Sequence, residues 1–244
     1  MDRELYLPSS WTEDRDRCRE AGVPAEVGFA TKPQLGIAML ARAHAAGVLT
    51  GWVTADEAYG QHRAFRDWLA THEVPFVLAT RSHDTLPVSG RRRRLARLLA
   101  TEVPASAWER RSAGDGAHGP RFYHWASVAL DPAGLPDQCR QCRHWLLIRR
   151  QISTDGSPPE LAFYRCAGPA TTPVAELVRV AGARWAIEEC FQTAKNQAGL
   201  DHYQIRHYHP WYRHLTLAML ATAYLAVTRH QEAKRGDPRP ARTT

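Results

Sequence analysis

Hydrophobic periodicity changes character twice along this chain, and that change constrains the fold more than any single motif. Before about residue 80, apolar positions alternate between helix-like and strand-like spacing. From Arg81 to Thr172 the helical period vanishes and Pro, Gly and short β-rich runs take over, and after Pro173 a strong helical period returns. The pattern predicts an α/β core interrupted by a mainly antiparallel β insertion. Four segments follow: residues 1–80 as the first part of the core, 81–172 as the insertion, 173–230 as the returning core helices, and 231–244 as a polar tail.

Within the first segment, Leu5–Leu7 reads as the tail of a strand stopped by Pro8, and Thr12–Ala21 as a solvated helix. Lys32-Pro33 opens a clearer helix that Gly47 closes. Val48–Ala55 then reads as a buried strand delivering Asp56 at its carboxyl end, followed by an amphipathic helix, His62–Thr71, and a strand, Phe76–Ala79. This β-α-β order predicts a mainly parallel core. In the insertion, Phe122–Leu130, Trp145–Arg150 and Leu161–Cys166 are strand candidates, the last two paired antiparallel, with turns at Asp131-Pro132-Ala133-Gly134 and Asp155-Gly156-Ser157-Pro158. The returning helices run from Val174 to Gln197, stopped at Gly199, and from about Tyr212 to His230.

Charge and cysteine usage narrow the function classes. The chain of 244 residues carries 32 Lys+Arg against 25 Asp+Glu, a formal net charge of +7, which favours phosphate-rich partners. Only Lys32, Lys195 and Lys234 are lysines, so the excess is arginine. The longest apolar stretch, Leu215–Val227, contains two threonines and is too short to span a bilayer. The start, MDRELYLPSSW, lacks the basic-then-apolar order of a signal peptide, and five cysteines do not suit a disulfide framework. A cytoplasmic, nucleoid-associated protein with no membrane role is expected.

The most informative stretch is RWAIEECFQTAK, residues 184–195. At about 100° per residue, offsets of four and seven put Arg184, Glu188 and Lys195 on one stripe, beside an apolar face of Val180, Ile187, Phe191 and Ala194. On an arbitrary helix this would be a surface ion-pair array. Asp56 at the end of a core strand changes that, because active sites of open α/β sheets gather at strand carboxyl ends, and separated acids can hold two divalent metals for phosphoryl transfer.

TADEAYG (residues 54–60) and RWAIEECFQTAKNQAGLDHYQIR (184–206) resemble the second and third acidic motifs of insertion-sequence DDE transposases, and RELYLPSSW, GFATKPQLG and WYRHLTLAMLA extend the likeness. The resemblance implies an RNase H-like fold in which two Asp and one Glu hold Mg2+ (or Mn2+) for DNA cleavage and strand transfer. Asp56 would be the second acid and Glu188 the third, both catalytic and metal-binding. Arg184 and Lys195 fit the family pattern Tyr-x2-Arg-x3-Glu-x6-Lys, whose tyrosine position is Ala181 here. The family's first aspartate lies on a strand upstream of RELYLP, and none of Asp2, Asp14 and Asp16 reads as a residue of a central strand. The resemblance therefore implies a core missing its first strands: an N-terminally truncated transposase, inactive alone. Its partners would be DNA at the element ends and a second copy or a full-length transposase. A non-catalytic DNA-binding or partner-binding remnant is the alternative. A two-carboxylate glycosidase would leave Arg184 and Lys195 without a role.

Other signals are weaker. Arg91, Arg92, Arg93 and Arg94, with Arg97, form the densest basic run and suit a DNA backbone, or the solvated start of a helix. His202 and Arg206, with Tyr203, His207, His209 and His214, suit a phosphate-facing surface. Glu57 reads as a solvated neighbour of Asp56. Cys139-x2-Cys142 with His144 and Cys166 has partial zinc-ligand spacing but no second pair, and Trp108, Trp125 and Trp145 suit core packing better than base stacking.

Overall fold

A computed structural model of the chain describes residues 2–48, 51–88, 91–94, 102–116, 119–130, 142–153, 156–204 and 206–236. In chain order its elements are α1 (Ser9–Thr12), α2 (Arg15–Glu20), α3 (Lys32–Ala45), β1 (Val53–Ala55), α4 (Glu57–Gly60), α5 (Arg63–Thr71) and β2 (Phe76–Thr80). Then come β3 (Thr85–Val88), β4 (Arg91–Arg94), β5 (Glu109–Gly116), β6 (Gly119–Ala129), β7 (Cys142–Arg150), β8 (Leu161–Pro169), α6 (Val174–Ala198) and α7 (Tyr208–Gly236). They form two compact units, Thr31–Trp185 and the pair of segments Met1–Ala30 and Ala186–Thr244.

The larger unit is built on a six-stranded sheet in the order β1-β2-β8-β7-β6-β5. Only β1 and β2 are parallel, with Val53 opposite Phe76. Every other pairing in that sheet is antiparallel. This corrects the expectation of a mainly parallel core, while the antiparallel pairing of β7 with β8 is as read from sequence. Strands of the middle segment join the same sheet, because β8 pairs with β2 along Phe76–Thr80. Periodicity reports which face of a strand is buried and not which strand lies beside it.

Both faces of the sheet are covered. On one, Val77, Trp125, Trp145, Leu147, Tyr164 and Cys166 pack with Leu177, Val178, Val180 and Ala181 of α6. On the other, Phe76, Leu78 and Ala167 meet Phe65 and Leu69 of α5, with Ile37 and Leu40 of α3 alongside, and Leu146, Ile148 and Phe163 cluster with Leu86 and Leu130. Trp125 and Trp145 are thus core residues, as their sequence context suggested. Helix α3 starts where expected because Thr31 and Gln34 form a reciprocal capping box with Pro33 in the first turn. Two glycines set close approaches. A Cβ on Gly60 would lie 1.9 Å from the Ala79 carbonyl oxygen, so α4 can lie against β2 only without a side chain there. A Cβ on Gly182 would lie 2.0 Å from the Ala113 oxygen, where Arg121 Nη2 donates to both Ala113 O at 2.7 Å and Gly182 O at 3.1 Å.

In the smaller unit, Leu5–Leu7 is not a strand. Leu7 is buried with Cys18, Ala21 and Val23, and the Leu5 amide donates to the Tyr212 hydroxyl at 3.4 Å. Thr12–Ala21 is also not one helix: the Asp14 side chain accepts from Arg17 N at 3.0 Å and restarts the chain as α2. Helix α6 ends at Gly199, which has φ +62°. Helix α7 begins four residues before Tyr212, at Tyr208, with Pro210 in the first turn, where the missing N–H costs nothing. Of the apolar face read on α6, Val180 and Ala194 are buried, whereas Ile187 and Phe191 are 44% and 55% exposed.

Candidate active site

The parallel pair β1/β2 brings two chain segments to one end of the sheet of the larger unit. Asp56 follows β1 directly, and Arg81 follows β2. Asp56 takes an extended conformation (φ −74°, ψ −179°) and its Oδ1 accepts from Ala58 N at 3.0 Å, so it caps α4. A carboxylate has about four lone-pair positions, and one capping bond leaves the rest for other donors or an ion. Gly60 completes this local design, since its contact with β2 fixes how far α4, and with it Asp56, stands from the strand ends.

Asp56 and Glu57 line a cleft of roughly 560 Å³ with Thr80, Arg81, His83, Arg149, Tyr164 and Arg184. Asp84 orders its floor: Oδ2 accepts from the Thr80 hydroxyl at 2.6 Å and from Arg81 N at 3.2 Å, while Oδ1 lies 3.4 Å from Arg81 Nε. Burial alone would raise the Asp84 carboxyl, but those hydrogen bonds and the charges of Arg81 and Arg165 hold it below the usual carboxylate range. Burial pushes the Tyr164 phenol up, opposed by the guanidinium charges of Arg149 and Arg184, which stand close enough to act on it. The Tyr59 phenol, beside Asp56, is also raised, first by burial and then by the Asp56 charge. Two carboxylates and three guanidiniums therefore line one cleft, a set of groups suited to a phosphodiester.

Of the residues singled out in the sequence, Asp56 and Arg184 share this cleft. Glu188 and Lys195 continue along α6 into the smaller unit, where both side chains are exposed. His202, with its side chain 78% exposed, and Arg206 lie after α6. Arg206 lines a separate cleft of about 470 Å³ within the smaller unit, together with Tyr203, His207 and Trp211. Arg91–Arg94 is strand β4, paired antiparallel with β3, so the run does not start a helix; Arg97 lies outside the described residues. Arg81, Arg149 and Tyr164 were not singled out. Arg81 could have been found by applying to β2 the strand-end argument used for Asp56. Arg149 and Tyr164 join the cleft only through antiparallel pairing.

Among the described residues no three His, Cys, Asp or Glu side chains gather as metal ligands. Of the partial zinc pattern, strand alternation separates two members: Trp145 pairs with Cys166, which places His144 on the opposite face from Cys166. Cys139 and the two turns around 131–134 and 155 fall outside the described residues, except that Gly156 has φ +76°. The carboxylate oxygens of Asp56, only one of which is engaged by the α4 cap, are donors of the type a Mg2+ ion takes, typically from one or two carboxylates with water and substrate phosphate filling its remaining positions.

The sequence matches the family model described as DDE superfamily endonuclease over residues 1–145, more than half of the chain and including Asp56. The chain belongs to that family. A comparison with curated proteins gives no match. Membership makes this a protein of the DDE transposase type, on a mixed α/β fold whose sheet is mostly antiparallel. Among the described residues no helix is long and apolar enough to cross a membrane.

Proposed function

We propose that this DDE-family chain is the catalytic region of a transposase that acts on the DNA ends of its own element, with Asp56 and Glu188 as two of its metal-holding acids. The observation that carries this reading is the position of Asp56: at the carboxyl end of the parallel pair, in a cleft that also presents Arg81, Arg149 and Arg184. When bound, Mg2+ or Mn2+ supplies activation of water and then of a DNA 3′-hydroxyl. The chain's own residues do the rest. The α4 cap and Gly60 hold Asp56 at a fixed distance from β2. The guanidiniums offset phosphodiester charge, and Arg184 and Lys195 flank Glu188 on one helix as further phosphate contacts. His202, Arg206 and Arg91–Arg94 are read as additional DNA contacts.

The family uses three acids, and two have counterparts here. The reading is therefore that the 244 residues bind DNA without cutting it, and that cleavage needs a third carboxylate beyond Asp56 and Glu188. The test is a Mg2+-dependent cleavage assay on DNA carrying the element ends, with this chain and with a version extended upstream by an Asp-bearing strand. The extended version should cut and should lose activity on Asp56→Ala or Glu188→Ala. Cleavage by the 244 residues alone, abolished by Glu188→Ala, would refute the inactivity. Failure to bind DNA at low salt would refute the transposase reading itself.

A further inference from the structure

We propose that the second cleft, which lies wholly within the smaller unit, takes an unpaired nucleotide, its base among aromatic rings and its phosphate on Arg206 and His207, an inference that rests on the DNA reading above. The cavity of about 470 Å³ falls within the roughly 300–1,000 Å³ of small-molecule sites. Its lining is graded by exposure. Leu7, Ala21 and Val23 are buried and form the floor, and Trp11, Tyr203, Tyr208 and Trp211 are half-buried around it. Gln204, Arg206 and His207 are exposed at the mouth.

The rings are held by contacts of their own. Arg17 Cζ lies 3.9 Å from the Trp11 ring centroid, Tyr208 packs on Tyr212 with centroids 4.8 Å apart, and Tyr203 packs on His214 at 5.3 Å. The Tyr208 amide donates to Ala21 O at 2.9 Å and the Tyr212 hydroxyl donates to Glu4 Oε2 at 3.1 Å, which ties the chain start to the first turn of α7. The Tyr203 hydroxyl donates to the His207 carbonyl at 2.9 Å and braces the loop that carries Arg206. Rings fixed in this way lose little freedom when a ligand binds. Two properties then name the occupant. Every nucleobase offers a π-face that aromatic side chains accept by stacking, and the Gln204 amide can both donate to and accept from a base edge. Among the described residues no carboxylate lines the cleft, and its charged group is the Arg206 guanidinium, joined by the His207 imidazole when protonated, so the mouth complements a phosphate. In a duplex both faces of a base are covered by its neighbours, so the cleft admits a nucleotide only outside the stack.

The test measures binding of the full chain to a labelled single strand, to an abasic strand of equal length and charge, and to the matching duplex. Wild-type protein should hold the base-bearing strand about 5–150-fold more tightly than the abasic one. Trp211→Ala should remove that preference and leave duplex affinity unchanged, whereas Trp211→Phe should keep it. Arg206→Gln should lower the slope of log K against log salt on the single strand by about 0.7, the loss of one phosphate contact. Irradiation of the wild type with a strand carrying 5-iodouracil should place adducts on Trp11, Tyr203, Tyr208 or Trp211, located by mass spectrometry of the peptides. Equal binding of base-bearing and abasic strands by a protein that binds duplex would overturn the cleft and leave the DNA reading intact, as would a base preference that survives in a Trp211→Ala protein melting like the wild type. Wild-type protein that binds neither single strand nor duplex would overturn both. If Trp211→Ala does not fold, the adducts decide: those on the four rings support the cleft, and adducts confined to other residues overturn it.

Discussion

Replacing Gly60 by alanine sets two opposite expectations against each other. Judged from helix propensity alone, Gly→Ala at the end of α4 should stabilise by about 0.5–1 kcal/mol. The packing says otherwise, because the new Cβ would lie 1.9 Å from Ala79 O, 3.0 Å from Ala79 C and 3.2 Å from the Leu78 Cβ. Contacts with backbone below about 3 Å are not sustained, so α4 and β2 must separate by roughly 1 Å. Strand β2 cannot supply the movement, since it is paired on both edges, with β1 and with β8. Helix α4 must lift instead, straining the buried hydrogen bond of 2.7 Å from Arg66 Nη1 to the Gly60 carbonyl and carrying Asp56 with it. Overpacking of this kind costs about 1–3 kcal/mol, so the net change is a destabilisation of about 1–2 kcal/mol. For a chain of this size that lowers Tm by roughly 2–8 °C. Thermal melting followed by circular dichroism measures it, with Gly28→Ala as the control, because a Cβ there meets nothing within 4 Å. In a cleavage-competent version, displacing Asp56 by about 1 Å should also reduce the rate roughly 100-fold. A Gly60→Ala protein that melts at or above the wild-type temperature would refute the reasoning.

Gly182→Ala should be destabilising for the same reason, and more so than a surface Gly→Ala, because its Cβ would meet backbone of β5 at 2.0 Å; chemical denaturation reads the loss directly. The Asp84 carboxyl is held low in the fold, so it stabilises above its unfolded pKa near 3.9 and that contribution is lost as pH falls through the folded value; Asp84→Asn should flatten the acid limb of a stability–pH profile. Burial pushes the Cys166 thiol up, so its contribution is complete below its unfolded pKa and is lost as pH rises beyond about 8.5–9; Cys166→Ala should remove that alkaline loss. Exposed Cys190 should alkylate in the native protein, whereas buried Cys166 should react only on unfolding, as mass spectrometry of the labelled peptides would show.

Much of this protein was legible in local sequence, because the signals concerned are local. The Thr31–Gln34 capping box, the Phe65/Leu69 face of α5, the Phe76–Thr80 strand and the stop at Gly199 each depend on residues within a few positions of one another. Asp56 was legible for the same reason, as a carboxylate placed where a short strand ends. Edges and partners were not. Strands β3, β4 and β5 are rich in Arg, Gly and Pro, carry little alternation, and become strands through pairing with neighbours. Nothing local distinguishes Leu5–Leu7 from a strand, since its burial against Cys18, Ala21 and Val23 satisfies the same apolar run without a ladder. The cleft shows the division most clearly. Local sequence marked Asp56 and Arg184 separately, but only antiparallel pairing of β8 with β2 and of β7 with β8 brings Tyr164 and Arg149 to the end of β1, more than 90 residues away in the chain. Hydrogen-bond register between distant segments is set by the packing of both sheet faces together, and no window of a single chain segment contains that information.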